Sequence, residues 1–295
     1  MPQTQSPATS APPITAPNAE LSEQEVDYLF DLNGYHIIKN ALTAEQLAAV
    51  NAYVDTHDTG KLEPGQWLGD VEIHTYGSQD GINFQNILEG GPVFEQLIDH
   101  PAWIDRVRRY IEVDDHLLRI DECFLNVRRR GGYIGIHSGG HNRRFTGLFR
   151  WHTGQWAVGQ INVLMALTDV GPGDGCTTII PGSHKSHEKH PFMHQEGVFH
   201  KHGGNALAMR EVHMNAGDVI MFADGTCHGS IERTNPGERR VLIYRYAPHL
   251  LASRYNYLPS EELMARLTPE RRRIVMPVPP RMRPGRTLEA GAYEK

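Results

Sequence analysis

Seventeen histidines in a chain of 295 residues make imidazole the first chemistry to trace. Histidine is the commonest metal ligand and the side chain that exchanges a proton closest to neutral pH. His228 follows Ala216-Gly217-Asp218-Val219-Ile220-Met221-Phe222, a turn feeding a short apolar strand, and precedes Gly229-Ser230. Two earlier histidines could join it: His137 in Ile136-His137-Ser138-Gly139-Gly140, and His152 in Trp151-His152-Thr153-Gly154-Gln155. A redox-active iron held by side chains needs two neutral imidazoles and usually a carboxylate on one face, with the opposite positions open. Taken alone, a histidine at the end of a strand is as readily a hydrogen-bonded structural residue. His184, His187, His190 and His194 look like a metal-binding tract, but they follow Pro181-Gly182 and read as solvated or lid residues.

The elements that must position these residues change character near Leu117. Before it, helical signals dominate. Ser22-Glu23-Gln24-Glu25 and Thr43-Ala44-Glu45-Gln46 are capping boxes ahead of helically spaced apolar residues. Asn33-Gly34 stops the first helix, Tyr35–Ile38 reads as a strand, and a third helix is expected over Val93–Tyr110. After Leu117, strand-length apolar runs alternate with Gly and Pro turns, and the best strands are Gln160–Leu167, Val219–Ala223 and Arg240–Tyr246. The expected fold is therefore mainly β with flanking helices, the β part a barrel or jelly roll. Residues 1–19, rich in Pro, Ser and Thr, read as a disordered lead-in. Residues 20–268 read as one domain, with a helical entry over 20–115 and a β core over 116–250. A helix over Ser260–Leu267 precedes an Arg/Pro-rich tail, 269–295, expected to be extended.

Composition narrows the partners. A net charge of −6 excludes a globally basic nucleic-acid binder, and 39% hydrophobic with 22% charged residues suits a globular chain with a core. The apolar runs are strand-sized, so no bilayer-spanning helix is expected. Three cysteines, Cys123, Cys176 and Cys227, do not make a disulfide framework, and a cytoplasmic setting is the expectation. Met1–Asn18 has neither a basic start nor an apolar core and does not read as a signal peptide.

Several segments together are similar to the phytanoyl-CoA dioxygenase family. They are Asn33-Gly34-Tyr35, Ala166-Leu167-Thr168-Asp169-Val170, Gly173-Asp174-Gly175, Ile180-Pro181-Gly182-Ser183-His184-Lys185, and Ala216-Gly217-Asp218 with His228-Gly229 and Arg239-Arg240. Each is weak alone, and their joint spacing over about residues 22–250 is specific. The resemblance implies a double-stranded β-helix (a cupin-like jelly roll) that binds Fe(II) and 2-oxoglutarate, activates O₂ and attacks an unactivated C–H bond. It carries the second iron histidine to His228 and, by separation along the chain, the first to His137, with His152 as fallback. It carries the arginine that grips the distal carboxylate of 2-oxoglutarate to Arg239, with Arg240 as the register alternative, since neighbouring strand residues face opposite ways. Asn126 and Gln160 are expected beside 2-oxoglutarate or substrate, and Cys227 is expected to face away from iron.

One position departs from the family pattern. Two residues after the first histidine, where Asp or Glu is expected, stands Gly139, or Gly154 for the fallback. Glycine brings no ligand atom, so the cation keeps an open position and less compensating charge, which favours an added anion such as chloride. This His-x-Gly pattern resembles the halogenases of the same class. A hydroxylase with Asp224 or Glu122 reaching the iron is the alternative. Arg143 and Arg144, with Arg128-Arg129-Arg130, form a local basic cluster that could receive phosphate, and Trp151, Trp156 or Phe149 could stack on a base. The resemblance then implies a small-molecule substrate of nucleotide type, such as 2′-deoxyadenosine monophosphate, with His152 and Trp151 also at the substrate.

Overall fold

The computed structural model describes residues 12–17, 20–77, 79–112, 117–142, 144–152, 154–193, 206–251 and 257–276. In chain order, α1 (Glu23–Asn33), β1 (Tyr35–Ile38) and α2 (Ala44–Asp55) lead into the short strands β2 (Trp67–Leu68), β3 (Val71–His74) and β4 (Ile82–Gln85). Helices α3 (Pro92–Glu95) and α4 (Ile104–Ile111) precede the long strand β5 (Leu118–Arg128). Then come β6 (Ile134–His137), the hairpin β7 (Phe149–His152) and β8 (Gln155–Val158), β9 (Ile161–Ala166) and β10 (Thr177–Ile179). The chain continues through β11 (Arg210–Glu211), β12 (Val219–Ala223), β13 (His228–Ser230) and β14 (Arg239–Pro248), and the described part ends with α5 (Glu261–Arg266) and α6 (Pro269–Val275).

An eight-stranded sheet in the order β1-β12-β9-β14-β5-β4-β3-β2 faces a four-stranded sheet, β11-β10-β13-β6. This is the antiparallel jelly roll that the strand-length runs predict. Both capping boxes form: Ser22 and Thr43 accept from the backbone N–H groups of Glu25 and Gln46, whose side chains accept in return. The entry helices cover the back of the large sheet. Tyr244 donates to the Phe94 carbonyl at 2.8 Å and Tyr246 to the Ile98 carbonyl at 2.8 Å, so both buried rings satisfy their hydroxyls on the segment they pack against.

Three expectations are corrected. The helix foreseen over Val93–Tyr110 is broken into α3 and α4, because Pro101 cannot continue a helix and its predecessor is pushed out of helical geometry. Within the lead-in expected to be disordered, Ile14 is buried; its N–H donates to Glu211 O at 2.7 Å and its carbonyl accepts from His213 N at 2.8 Å. The tail expected to be extended begins as helix α6, with Thr268 as N-cap and Pro269 in the first turn. Its arginines are tied to acids, Arg271 to Asp99 at 2.7 Å and Arg273 to Glu270 at 2.6 Å.

Gly34 ends α1 at φ 81°, a left-handed cap that a side chain would strain. A Cβ there would also lie 2.4 Å from Thr226 Oγ1 and 2.5 Å from His184 Nδ1. The missing side chain lets the helix end press against the loop that precedes β13.

Candidate active site

Between the sheets lies a cavity of about 650 Å³. Strand alternation decides what faces it. From β14 it is lined by Arg239, Val241, Ile243 and Arg245, from β5 by Phe124, Asn126 and Arg128, and from β9 by Asn162 and Leu164. The small sheet contributes His137 and His228 to the opposite wall.

Those two histidines are register partners of β6 and β13, with ring centroids 4.1 Å apart. His137 Nδ1 lies 3.0 Å from Gly135 O and His228 Nδ1 lies 2.7 Å from Thr226 O. A carbonyl can only accept, so Nδ1 carries the proton in both rings and Nε2 is the unprotonated nitrogen, the form in which imidazole ligates a metal. Burial, and then the neighbouring His137 ring, pushes the His228 pKa well below its usual range, which keeps that ring neutral.

Arg239 lies deep in the same cavity, only 2% exposed. It donates to Thr177 Oγ1 at 2.9 Å, and among the described residues its Nε has no hydrogen-bond partner and no acid forms a salt bridge with it. Burial, and then the nearby Arg128 guanidinium, lowers its pKa to about 9. An isolated buried cation is expensive unless an anion joins it, so this end of the cavity suits a carboxylate-bearing ligand. Arg240, the register alternative, points outward to Asp55 at 2.7 Å and Glu238 at 3.1 Å. Two Nε2 donors on one wall and a bare guanidinium in the same cavity fit an iron ion with a chelating dicarboxylate.

At the position where a third protein ligand would stand, Gly139 has φ 120°, a conformation that side chains rarely adopt. A Cβ built there would meet His141 Nδ1 at 2.7 Å and Cys227 Sγ at 3.1 Å. Among the described residues, no His, Cys, Asp or Glu completes a group of three with His137 and His228 within 4.8 Å. Glu122 is held by Arg245, Gln85 and Tyr76, while the buried Asp224 accepts from Asn162 at 3.3 Å. Cys227 is buried outside the cavity lining and donates to Ser138 O.

The remaining sequence candidates divide. Asn126 lines the cavity and donates to Asn83 Oδ1 at 2.9 Å. Gln160 does not: it sits just before β9 and donates to Asp121 Oδ2 at 2.9 Å. His152 ends β7, whose only described partner is β8, so the fallback lies in a hairpin apart from the strand pair carrying His228. Trp151 and Arg144 are exposed and line a neighbouring groove of about 660 Å³ rather than the histidine cavity, and Arg143 lies outside the described residues. Arg128 is a correction of another kind. It is no member of a phosphate-receiving surface cluster but 1% exposed, paired with Asp80 at 2.9 Å and donating to Ser230 Oγ at 2.5 Å. Arg129 is likewise taken up by Glu238 at 2.8 Å. His184, expected to be solvated, is buried and donates to Asp31 O at 3.0 Å.

Sequence reasoning overlooks Asp80, Tyr76, Asn162, Thr177 and Arg245, all of which line the cavity. Arg245 is within reach of the sequence, because it shares strand parity with Arg239 on β14.

Comparison with known proteins identifies the fold and the family. The family profile described as Phytanoyl-CoA dioxygenase (PhyH) matches residues 30–241. A curated relative, Dioxygenase FUM3 of Gibberella moniliformis, is 32% identical over 237 residues, 77% of this chain and 73% of the relative. HygX from Streptomyces hygroscopicus, solved with nickel, 2-oxoglutarate and hygromycin B bound, shares the fold with a TM-score of 0.65 at 18% identity, covering 82% of this chain and 94% of HygX. The non-heme alpha ketoglutarate dependent epimerase SnoN from nogalamycin biosynthesis shares it with a TM-score of 0.54 at 19% identity, over 77% and 83% of the two chains. With a profile match across most of its length and the jelly roll to carry it, the chain belongs to the phytanoyl-CoA dioxygenase (PhyH) family of Fe(II)/2-oxoglutarate-dependent oxygenases.

Proposed function

We propose that the chain is an Fe(II)/2-oxoglutarate-dependent halogenase, with His137 and His228 as its iron ligands and Arg239 as the anchor for 2-oxoglutarate. The observation that carries the reading is Gly139, whose backbone conformation and crowded Cβ direction disfavour any ligating side chain. When bound, the iron and its cosubstrate supply the oxidising power that removes a hydrogen atom from an unactivated C–H bond. The protein's own part is geometric. His137 and His228 present Nε2 from a fixed tautomer, and Arg239 holds the cosubstrate carboxylate by charge. Gly139 would leave room beside a bound iron for chloride, and the cavity walls would have to hold the target carbon close to that place.

We further propose a mononucleotide such as 2′-deoxyadenosine monophosphate as the substrate class. Tyr76, Phe124 and Tyr133 in the cavity wall suit a flat heteroaromatic ring. Arg144 and Trp151 would act only on a substrate reaching the adjoining groove, which Gly140 also lines.

Hydroxylation is the second reading, favoured by the buried Asp224, whose charge acts on the His228 ring. One experiment separates the two: anaerobic loading with Fe(II), 2-oxoglutarate, chloride and 2′-deoxyadenosine monophosphate, then O₂ and mass spectrometry of the product. A product gaining chlorine is expected. A product gaining only oxygen, with chloride in excess, overturns the halogenase reading. Equal affinity for the nucleotide and for deoxyadenosine overturns phosphate recognition.

A further inference from the structure

We propose that Cys176, Glu211 and His213 form a second divalent-cation site, of zinc type, separate from the His137/His228 centre. Their ligand atoms all lie within 4.8 Å of one another.

The register makes the cluster. In the β10–β11 ladder Thr178 pairs with Glu211, and Val212 N donates to Thr177 O at 2.8 Å. Carried two residues further, the same register sets Cys176 opposite His213. Side chains two apart on a strand share a face, so Cys176, Glu211 and His213 converge on one side of the small sheet. Thr177 has the opposite parity and lines the cavity with His228, so the cluster lies on the other face of its strand.

The donors differ in chemistry and in access. Cys176 is fully buried, whereas the side chains of Glu211 and His213 are 19% and 22% exposed. His213 Nε2 lies 3.1 Å from Glu211 Oε2, and no described lysine or arginine forms a salt bridge with that carboxylate. A thiolate, an imidazole and a carboxylate, with solvent for the fourth position, make a ligand set for Zn²⁺ rather than for Mg²⁺ or Ca²⁺. Binding transfers the Cys176 thiol proton to water, gives up the hydrogen bond that this thiol donates to Gly171 O at 2.9 Å, and replaces the His213–Glu211 contact with two metal bonds. The backbone of the same two residues fastens Ile14, which donates to Glu211 O and accepts from His213 N. A cation there would lock the N-terminal segment onto the sheet edge.

The test uses the full chain carrying His137→Ala and His228→Ala, which removes the other centre. After incubation with Zn²⁺ and dialysis against metal-free buffer, one zinc per chain is expected by elemental mass spectrometry. Adding Cys176→Ser, or separately His213→Ala at its partly exposed position, is expected to lower retained zinc at least tenfold. Co²⁺ alone gives a second readout, a near-ultraviolet thiolate-to-cobalt band that histidine and carboxylate ligands cannot produce. That band is expected in the double variant and should vanish with Cys176→Ser. No retained zinc and no thiolate band in the double variant overturns the proposal, and so does a band that survives Cys176→Ser.

Discussion

His137 and His228 are aligned across β6 and β13, and each directs its Nδ1 proton to the carbonyl two residues before it, Gly135 in one case and Thr226 in the other. The pair is therefore set by local backbone on each strand and by strand register between them. Replacing either histidine by alanine should remove Fe(II)-dependent turnover of 2-oxoglutarate by roughly 100-fold or more, since even residues that only orient a ligand cost about 10–100-fold. Succinate release measured at saturating iron checks this.

Arg239→Met removes a buried cation that forms no salt bridge with a described acid. The KM for 2-oxoglutarate should rise on the order of 100-fold, because truncating one partner of a buried charge pair costs about 2–5 kcal/mol. The melting temperature without cosubstrate should stay level or rise, as the desolvation cost disappears with the charge. Arg240→Met, which loses the contacts with Asp55, Glu238 and Asn51, should leave that KM within about twofold, in line with the modest worth of exposed pairs.

Installing a carboxylate at Gly139 is not a simple exchange of ligands. At φ 120° any side chain is strained, by about 1–3 kcal/mol, and the new Cβ meets the His141 ring. Gly139→Ala and Gly139→Asp should both lower the urea midpoint, and His141→Ala added to either should restore part of the loss. If Gly139→Asp is as stable as the parent, the backbone argument fails.

His184 and His36 are held neutral by burial, which lowers each pKa from 6.5 to about 4. Between those values the unfolded chain takes up protons that the folded chain refuses. Stability is therefore fully present above pH 6.5 and declines as pH falls towards 4. At pH 5 the loss is about 2 kcal/mol for each ring, from roughly 1.4 kcal/mol per pKa unit. Urea denaturation at pH 7 and pH 5 measures it, and His184→Gln should shrink the parent's decline by about 2 kcal/mol, the remainder coming from His36 and the equally neutral His228.

Local pattern made much of this fold readable. Ser22 and Thr43 start their helices as the capping boxes require, and of the two arginines that the family resemblance brings forward, Arg239 and Arg240, strand parity lets only one face the cavity. What escaped depends on distance along the chain. Arg128 looks like part of a phosphate-receiving surface cluster until Asp80, 48 residues earlier, is brought beside it by the pairing of β4 with β5. Gln160 looks poised for the site, yet the side chain is claimed by Asp121. The start of α6 was legible in Thr268-Pro269-Glu270 but hidden by the arginines that follow. The φ of Gly139 has no sequence signature beyond the glycine itself.

The tight seat of Gly34 against Thr226 reaches further than helix capping. Thr226 donates its hydroxyl to the Gly34 carbonyl at 3.1 Å, and its own carbonyl fixes the His228 ring. Any methyl group grafted onto that glycine would shove the threonine aside and tilt the imidazole with it. The setting of the His228 ring is thus hostage to the last turn of a helix nearly two hundred residues upstream, where the stretch Asn33-Gly34 looks like no more than a helix stop.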